Sequence, residues 1–266
     1  MDSPGILLIT CEYPPFPGGI GSYCGNLVRE VRAAGFPARV IAPRYAEFAV
    51  SKQVEDDVDR VLTHHGIPAA AVLRTLSIMR SGPPGSILLA ADIRSVLLAY
   101  LLRPFHRRPY RVMIHGSEVA KLCSRNPMFA VARRAYLDAE MLAANSYATL
   151  HAFEHAVGNH RRAVVTSLGV ASTWFEDAPG KFEHPELAAL PVDAAVFCTV
   201  GRIEARKGHM EAVDAVARAR SHHGVRSPVF VVAGRPENQS YYASVIESAR
   251  RQGVRVVQAG VLSDAD

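Results

Sequence analysis

The sequence has few cysteines, a single tryptophan and no uninterrupted apolar run of membrane-spanning length. Cys11, Cys24, Cys123 and Cys198 form no C-x-x-C pair and no zinc-finger spacing. They read as scattered free thiols, which argues against a secreted disulfide scaffold and predicts a reducing, cytoplasmic setting. The longest apolar stretch, 86–102, is broken by Asp92 and Arg94, against a transmembrane span. No basic segment precedes the short apolar run at 5–10, so no signal peptide is expected. A G-x-S-x-G elbow is missing, against an α/β-hydrolase. The pairs His64-His65 and His222-His223 lack an H-E-x-x-H context, so zinc is unsupported. There is no short-period repeat and no low-complexity tract.

What is present is an ordinary core-forming composition, 49% hydrophobic and 21% charged, which excludes whole-chain disorder. With 30 Lys+Arg against 25 Asp+Glu the net charge is +5. That mild excess admits an anionic partner, such as a nucleotide or phospholipid, without demanding one; no nucleic-acid partner is expected. At 266 residues the chain is one large domain or two small ones, since a usual domain has about 150.

Ile6-Leu7-Leu8-Ile9-Thr10 is a continuous apolar run, as in a strand buried on both faces. A Pro/Gly-rich loop follows, then Ile20, Cys24, Leu27, Val28 and Val31 at helical spacing. Arg39-Val40-Ile41-Ala42 reads as the next strand. Strands are expected again at 87–90, 110–114 and 163–166, with helices between them. The stretch 53–80 is ambiguous, acidic first and helical-looking later. Such alternation predicts an α/β fold with a parallel sheet. An N-terminal Rossmann-like domain is expected over 1–175 and an aperiodic, proline-bearing linker over 176–194. A partial second Rossmann-like domain with three strands, ending in one at 254–258, occupies 195–266. An open edge and exposed apolar surface are expected at that last strand, inviting dimerisation.

Three constellations carry chemistry. Gly18-Gly19-Ile20-Gly21 lies between a strand and a helix, where glycine lets backbone N–H groups approach a phosphate. The third glycine of G-x-G-x-x-G is missing and no acidic residue closes the second strand, so NAD is disfavoured. In the second half, Gly201-Arg202-Ile203-Glu204-Ala205-Arg206-Lys207 again joins strand to helix, placing Arg202 and Lys207 to clamp a diphosphate. His115 follows a strand, at the carboxyl end where open α/β sheets bind ligands. Ser146 and Gly169 end neighbouring strands on the same crevice.

Weaker signals have plainer readings. Asp57-x-Asp59 imitates a D-x-D metal motif inside an acidic run and is expected on a solvated helix face. Arg103, His106, Arg107, Arg108 and Arg111 are expected in a solvated loop, with anionic lipid as an alternative that permits a membrane-peripheral location.

The glycine loop after Pro14-Pro15, His115-Gly116-Ser117, Ser146, Gly169-Val170, Gly201-Arg202 with Arg206-Lys207-Gly208, and Ala233-Gly234-Arg235 come in one order. In that order the chain resembles retaining GT-B glycosyltransferases of the family-4 type. The resemblance implies transfer of a sugar from a nucleotide-diphosphate donor to an unknown small-molecule, glycan or lipid acceptor, with retention and without a metal or cofactor. It implies donor contacts at Gly18, Gly19, Gly21, Gly201 and Gly234. The implied catalytic residues are His115, against sugar and phosphate, and Arg202 and Lys207, on the departing diphosphate. Leu168-Gly169-Val170-Ala171 departs from the family's Asn-Gly-Val-Asp, and its E-x7-E segment is expected beyond Asp266. The alternative is a non-catalytic fragment or partner module that keeps the fold.

Overall fold

A computed structural model describes residues 5–49, 55–63, 67–82, 85–170, 175, 184–223 and 225–262. These divide into two units, 1–169 and 170–266. The expected linker at 176–194 lies partly outside the described residues; its described part, from His184 on, contains a short helix.

In the first unit the chain runs β1 (Ile6–Ile9), α1 (Gly19–Ala33), β2 (Ala38–Arg44), β3 (Val58–Thr63), α2 (Ala69–Ser81), β4 (Ile87–Ala90) and α3 (Ile93–His106). It continues through β5 (Tyr110–Ile114), α4 (Ser117–Leu122), α5 (Pro127–Leu137), β6 (Met141–Ala144), α6 (Tyr147–Val157) and β7 (Ala163–Val165). The seven strands form one parallel sheet, ordered β3-β2-β1-β4-β5-β6-β7. Strand order reverses at β1/β4, the switch point at which doubly wound sheets take ligands.

Both faces of the sheet are covered, which is why its strands read as unbroken apolar runs. Leu8, Val40 and Met113 pack under Cys24 and Val28 of α1. Leu7, Ile9, Ile41 and Val112 face the larger core beneath Val96, Ala99, Ala132 and Phe153. Asp92 starts α3 with a capping box, accepting from Ser95 N while Ser95 Oγ accepts from Asp92 N.

The ambiguous stretch resolves into an edge strand and a helix. Asp59 is therefore not on a helix face: it lies in β3 and pairs with Arg39 on β2 at 2.7 Å. The basic cluster is likewise not a solvated loop throughout. Arg111 pairs with Glu140 at 2.8 Å, and Arg108 donates to Gly82 O and Ser86 Oγ.

His106 and His160 form a matched pair of staples. Nδ1 of His106 accepts from Arg108 N at 3.1 Å, and its Nε2 donates to Ala99 O at 2.9 Å. His160 does the same between Arg162 N at 3.0 Å and Ala139 O at 3.1 Å. Each arrangement needs a neutral ring, since a protonated Nδ1 cannot accept. Burial lowers both pKa values from the ordinary histidine range. The unfolded chain therefore binds more protons than the folded one just below about pH 6.5, so stability falls as pH falls through that range. Melting temperature is expected to drop between about pH 7 and pH 5, and less steeply in a His106→Asn, His160→Asn variant. An unchanged slope in that variant would show that other groups govern the acid limb.

The second unit contains α7 (Pro185–Ala188), β8 (Val196–Val200), α8 (His209–His223), β9 (Val229–Ala233), α9 (Gln239–Arg251) and β10 (Arg255–Gly260). Its three parallel strands are ordered β10-β9-β8. Phe230 and Val232 pack under Val213 and Val216 of α8 and Val245 of α9. The exposed apolar surface is not on the last strand: Val257 of β10 is fully buried. It lies on β8, also an edge, where Val196 is 52% and Val200 82% exposed.

Candidate functional site

In the first unit, the loop after β1 is pinned from several sides. Cys11 N donates to Asp92 Oδ2 at 2.6 Å, and Tyr13 N to Tyr45 Oη at 3.0 Å. Arg60 of β3 donates to Pro14 O at 2.6 Å, and Phe16 stacks on Tyr45. The loop delivers Gly18, which has no side chain of its own to cap with, as N-cap of α1.

The glycines of this loop differ. Gly21 is packed, since a Cβ there would lie 3.3 Å from Tyr13 N, and at Gly18 it would lie 2.5 Å from Glu12 Oε2. Gly19 has open space within 4 Å. Packing thus does not require glycine at 19, whereas close approach of a ligand does. Gly19→Ala is expected to leave the melting temperature unchanged, and a marked fall would show that packing does require glycine there.

His115 follows β5 and is held by residues that the sequence reading missed. Its N–H donates to Glu118 Oε2 at 3.2 Å, its carbonyl accepts from Asn145 Nδ2 at 3.2 Å, and its ring meets Tyr23 edge to face. Gly116 takes φ 101°, and a Cβ there would press to 3.3 Å from Thr149 Oγ1. Burial lowers the pKa of His115, opposed by Asp92, so the ring is neutral at neutral pH. Its Nε2 is buried without a hydrogen-bond partner among the described residues, as is Glu118 Oε1. Burial raises the pKa of Glu118. The sequence signals for this clamp are the Ser117-Glu118 pair after His115-Gly116 and Asn145-Ser146 at a strand end on the same crevice; Tyr23 had none.

Ser146 N-caps α6: its Oγ accepts from Thr149 N at 3.1 Å and donates to Thr149 Oγ1 at 3.0 Å. Gly169 is exposed with open space around it. The structure thus places Gly18, Gly19, Gly21, His115 and Ser146 after the carboxyl ends of β1, β5 and β6.

In the second unit the turns after β8 and β9 are stitched together. Gly201 N donates to Ala233 O at 2.8 Å and Ile203 N to Arg235 O at 2.9 Å. Gly234 takes φ 149°, and a Cβ there would run into the Gly201 carbonyl. Arg202 leaves this turn half-exposed, 3.6 Å from Glu204 and 3.7 Å from Glu237. Arg206 engages Glu204 more closely, at 2.8 Å, and this contact leads in lowering the Glu204 pKa. Lys207 ends a single 3-10 turn before α8 and pairs with no carboxylate among the described residues. Arg202, Arg206, Lys207 and Arg235 outnumber the two glutamates, so the turn stays cationic.

No family model and no curated protein matches the chain. Solved structures do. Anabaena Alr3699/HepE in complex with UDP and glucose matches with a TM-score of 0.75 and 17% identity, over 97% of this chain and 70% of that one. The fold is GT-B. Sucrose-phosphate synthase from Thermosynechococcus elongatus matches at a TM-score of 0.72 and 16% identity, over 98% of this chain and 71% of that one. The trehalose-6-phosphate synthase OtsA follows at 0.63 and 12%, over 98% and 75%. No described helix is long and apolar enough to cross a membrane.

Proposed function

We propose that the chain is a nucleotide-sugar-dependent glycosyltransferase of the family-4 type, acting with retention and without a metal. The observation that carries this reading is the pair of strand–glycine-turn–helix junctions, Gly18–Gly21 and Gly201–Lys207, the second cationic. Support comes from the GT-B neighbours, among them HepE solved with UDP-glucose. In the first unit, the open space at Gly19 lets its backbone N–H approach an anionic group. Arg202 takes the diphosphate bidentately and Lys207 adds a point charge, so negative charge on the leaving group is stabilised by fixed cations. Neutral His115 offers its unpartnered Nε2 to the sugar.

Calorimetric titration with UDP- and GDP-sugars, beside a transfer and hydrolysis assay, tests the reading. Binding of a nucleotide sugar but not of NAD is the expected result, and absence of nucleotide binding overturns it. A second reading, a GT-B module without turnover, draws on the exposed apolar face of edge strand β8. Binding without transfer supports that one.

A further inference from the structure

Helix α3 is apolar even where it faces water. Val96, Ala99 and Leu102 bury its sheet-facing side in the core of the first unit. The opposite side of a surface helix is ordinarily charged or polar. Here Leu101 is 59% and Phe105 60% exposed, one turn apart, with Pro104 exposed beside them. Single apolar residues on a surface need no explanation, but two large ones side by side at a helix end form a patch.

Three arginines frame that patch. Arg103 and Arg107 come from the end of α3, and Arg80 from the last turn of α2. Arg80, Phe105 and Arg107 line one depression of about 470 Å³. Leu101, Arg103 and Arg107 line another of about 680 Å³, and Pro104 is common to both. All three arginines are exposed and pair with no carboxylate among the described residues. Asp138, the one carboxylate lining either depression, is engaged by Arg134 at 3.0 Å. Arg108 is left out of the set, because its guanidinium is committed to Gly82 O and Ser86 Oγ. The helix dipole favours arginine at a C-terminus but gives no reason for leucine and phenylalanine beside it.

The turn that presents these residues is fixed. His106 ties it between Ala99 O and Arg108 N, and Arg107 closes the helix in the left-handed region at φ 56°. A second copy on this surface would set three cations against three. A bilayer with anionic headgroups suits both parts of the patch, since apolar tips sink into the acyl boundary while guanidinium groups stay among the phosphates.

We infer that the end of α3 is a peripheral docking surface for an anionic lipid membrane, with Leu101 and Phe105 inserted and Arg80, Arg103 and Arg107 on the headgroups. The surface lies where α3 runs into β5, at the amino edge of the parallel sheet and away from His115 and Gly18–Gly21 at its carboxyl edge. It does not rest on the transferase reading.

The test is co-sedimentation of the full chain with phosphatidylcholine vesicles, with and without phosphatidylglycerol. Sedimentation with the anionic vesicles alone is expected, weakening as salt rises. Arg80→Gln, Arg103→Gln and Arg107→Gln are each expected to lower the vesicle partition coefficient about fivefold. Leu101→Ser with Phe105→Ser is expected to lower it about tenfold or more. All five side chains are exposed, so melting temperature is expected to hold, which separates lost docking from lost folding. Absence of partition to anionic vesicles overturns the docking surface, as does equal partition to neutral ones or partition indifferent to these substitutions. A dimer in sedimentation velocity that the Leu101→Ser, Phe105→Ser pair dissolves gives the patch to a second copy and overturns it too. UDP titrated in parallel reports on the donor reading alone: docking without UDP binding sinks that reading and leaves this surface standing.

Discussion

Arg202→Ala is expected to lower kcat/KM for sugar transfer by about 10²-fold or more, and Lys207→Ala by a similar factor. Each removes a charge-assisted contact, worth roughly 1.5–3 kcal/mol before any charge develops in the transition state. At Arg202 a second effect adds to this. Its guanidinium stands near both Glu204 and Glu237, so its loss leaves these carboxylates less balanced where a diphosphate would bind. Arg202→Lys keeps the charge but loses the fork, and an intermediate loss is expected. Arg206→Ala is the control: it breaks an exposed pair with Glu204 that is worth about 1 kcal/mol or less. A fully active Arg202→Ala enzyme, or an Arg206→Ala variant as impaired as Arg202→Ala, would falsify the donor assignment.

The strands buried on both faces were legible because burial and sequence pattern coincide there. Val229–Ala233 is apolar at every position and buried at every position. Edge strand β3 was not legible, because Asp59 and Arg60 take their partners from Arg39, Pro14 and Pro43, far away in sequence. The glycine turns were legible because a need for φ above zero, as at Gly201 and Gly234, or for a residue without Cβ, as at Gly18, is local. The clamp on His115 was not, since Glu118, Asn145 and Tyr23 come from three different segments. The misplaced apolar surface has the same origin. Sequence order makes β10 the last strand, yet the sheet order makes β8 an edge as well.

His115→Ala is expected to lower kcat by about 10²-fold, with a smaller rise in KM. The histidine backbone is fixed from both sides, by the Glu118 carboxylate on its N–H and Asn145 on its carbonyl. Neither contact uses the imidazole, which instead donates to the Ala91 backbone carbonyl. The ring packs against Tyr23 with its Nε2 buried and unpartnered among the described residues. A buried polar atom in that state costs about 1–3 kcal/mol, which a hydrogen bond to a ligand would offset. Removing the ring relieves that cost but also strips the Ala91 carbonyl of its donor, so melting temperature is expected to change little while the proposed contact to the sugar is lost. An interaction made mainly in the transition state shows as a loss in kcat that exceeds any change in KM. Because the ring is neutral at neutral pH, the wild-type rate should not fall as pH rises through the ordinary histidine range. Unchanged kcat with a lowered melting temperature would assign His115 to packing against Tyr23 and remove it from the chemistry.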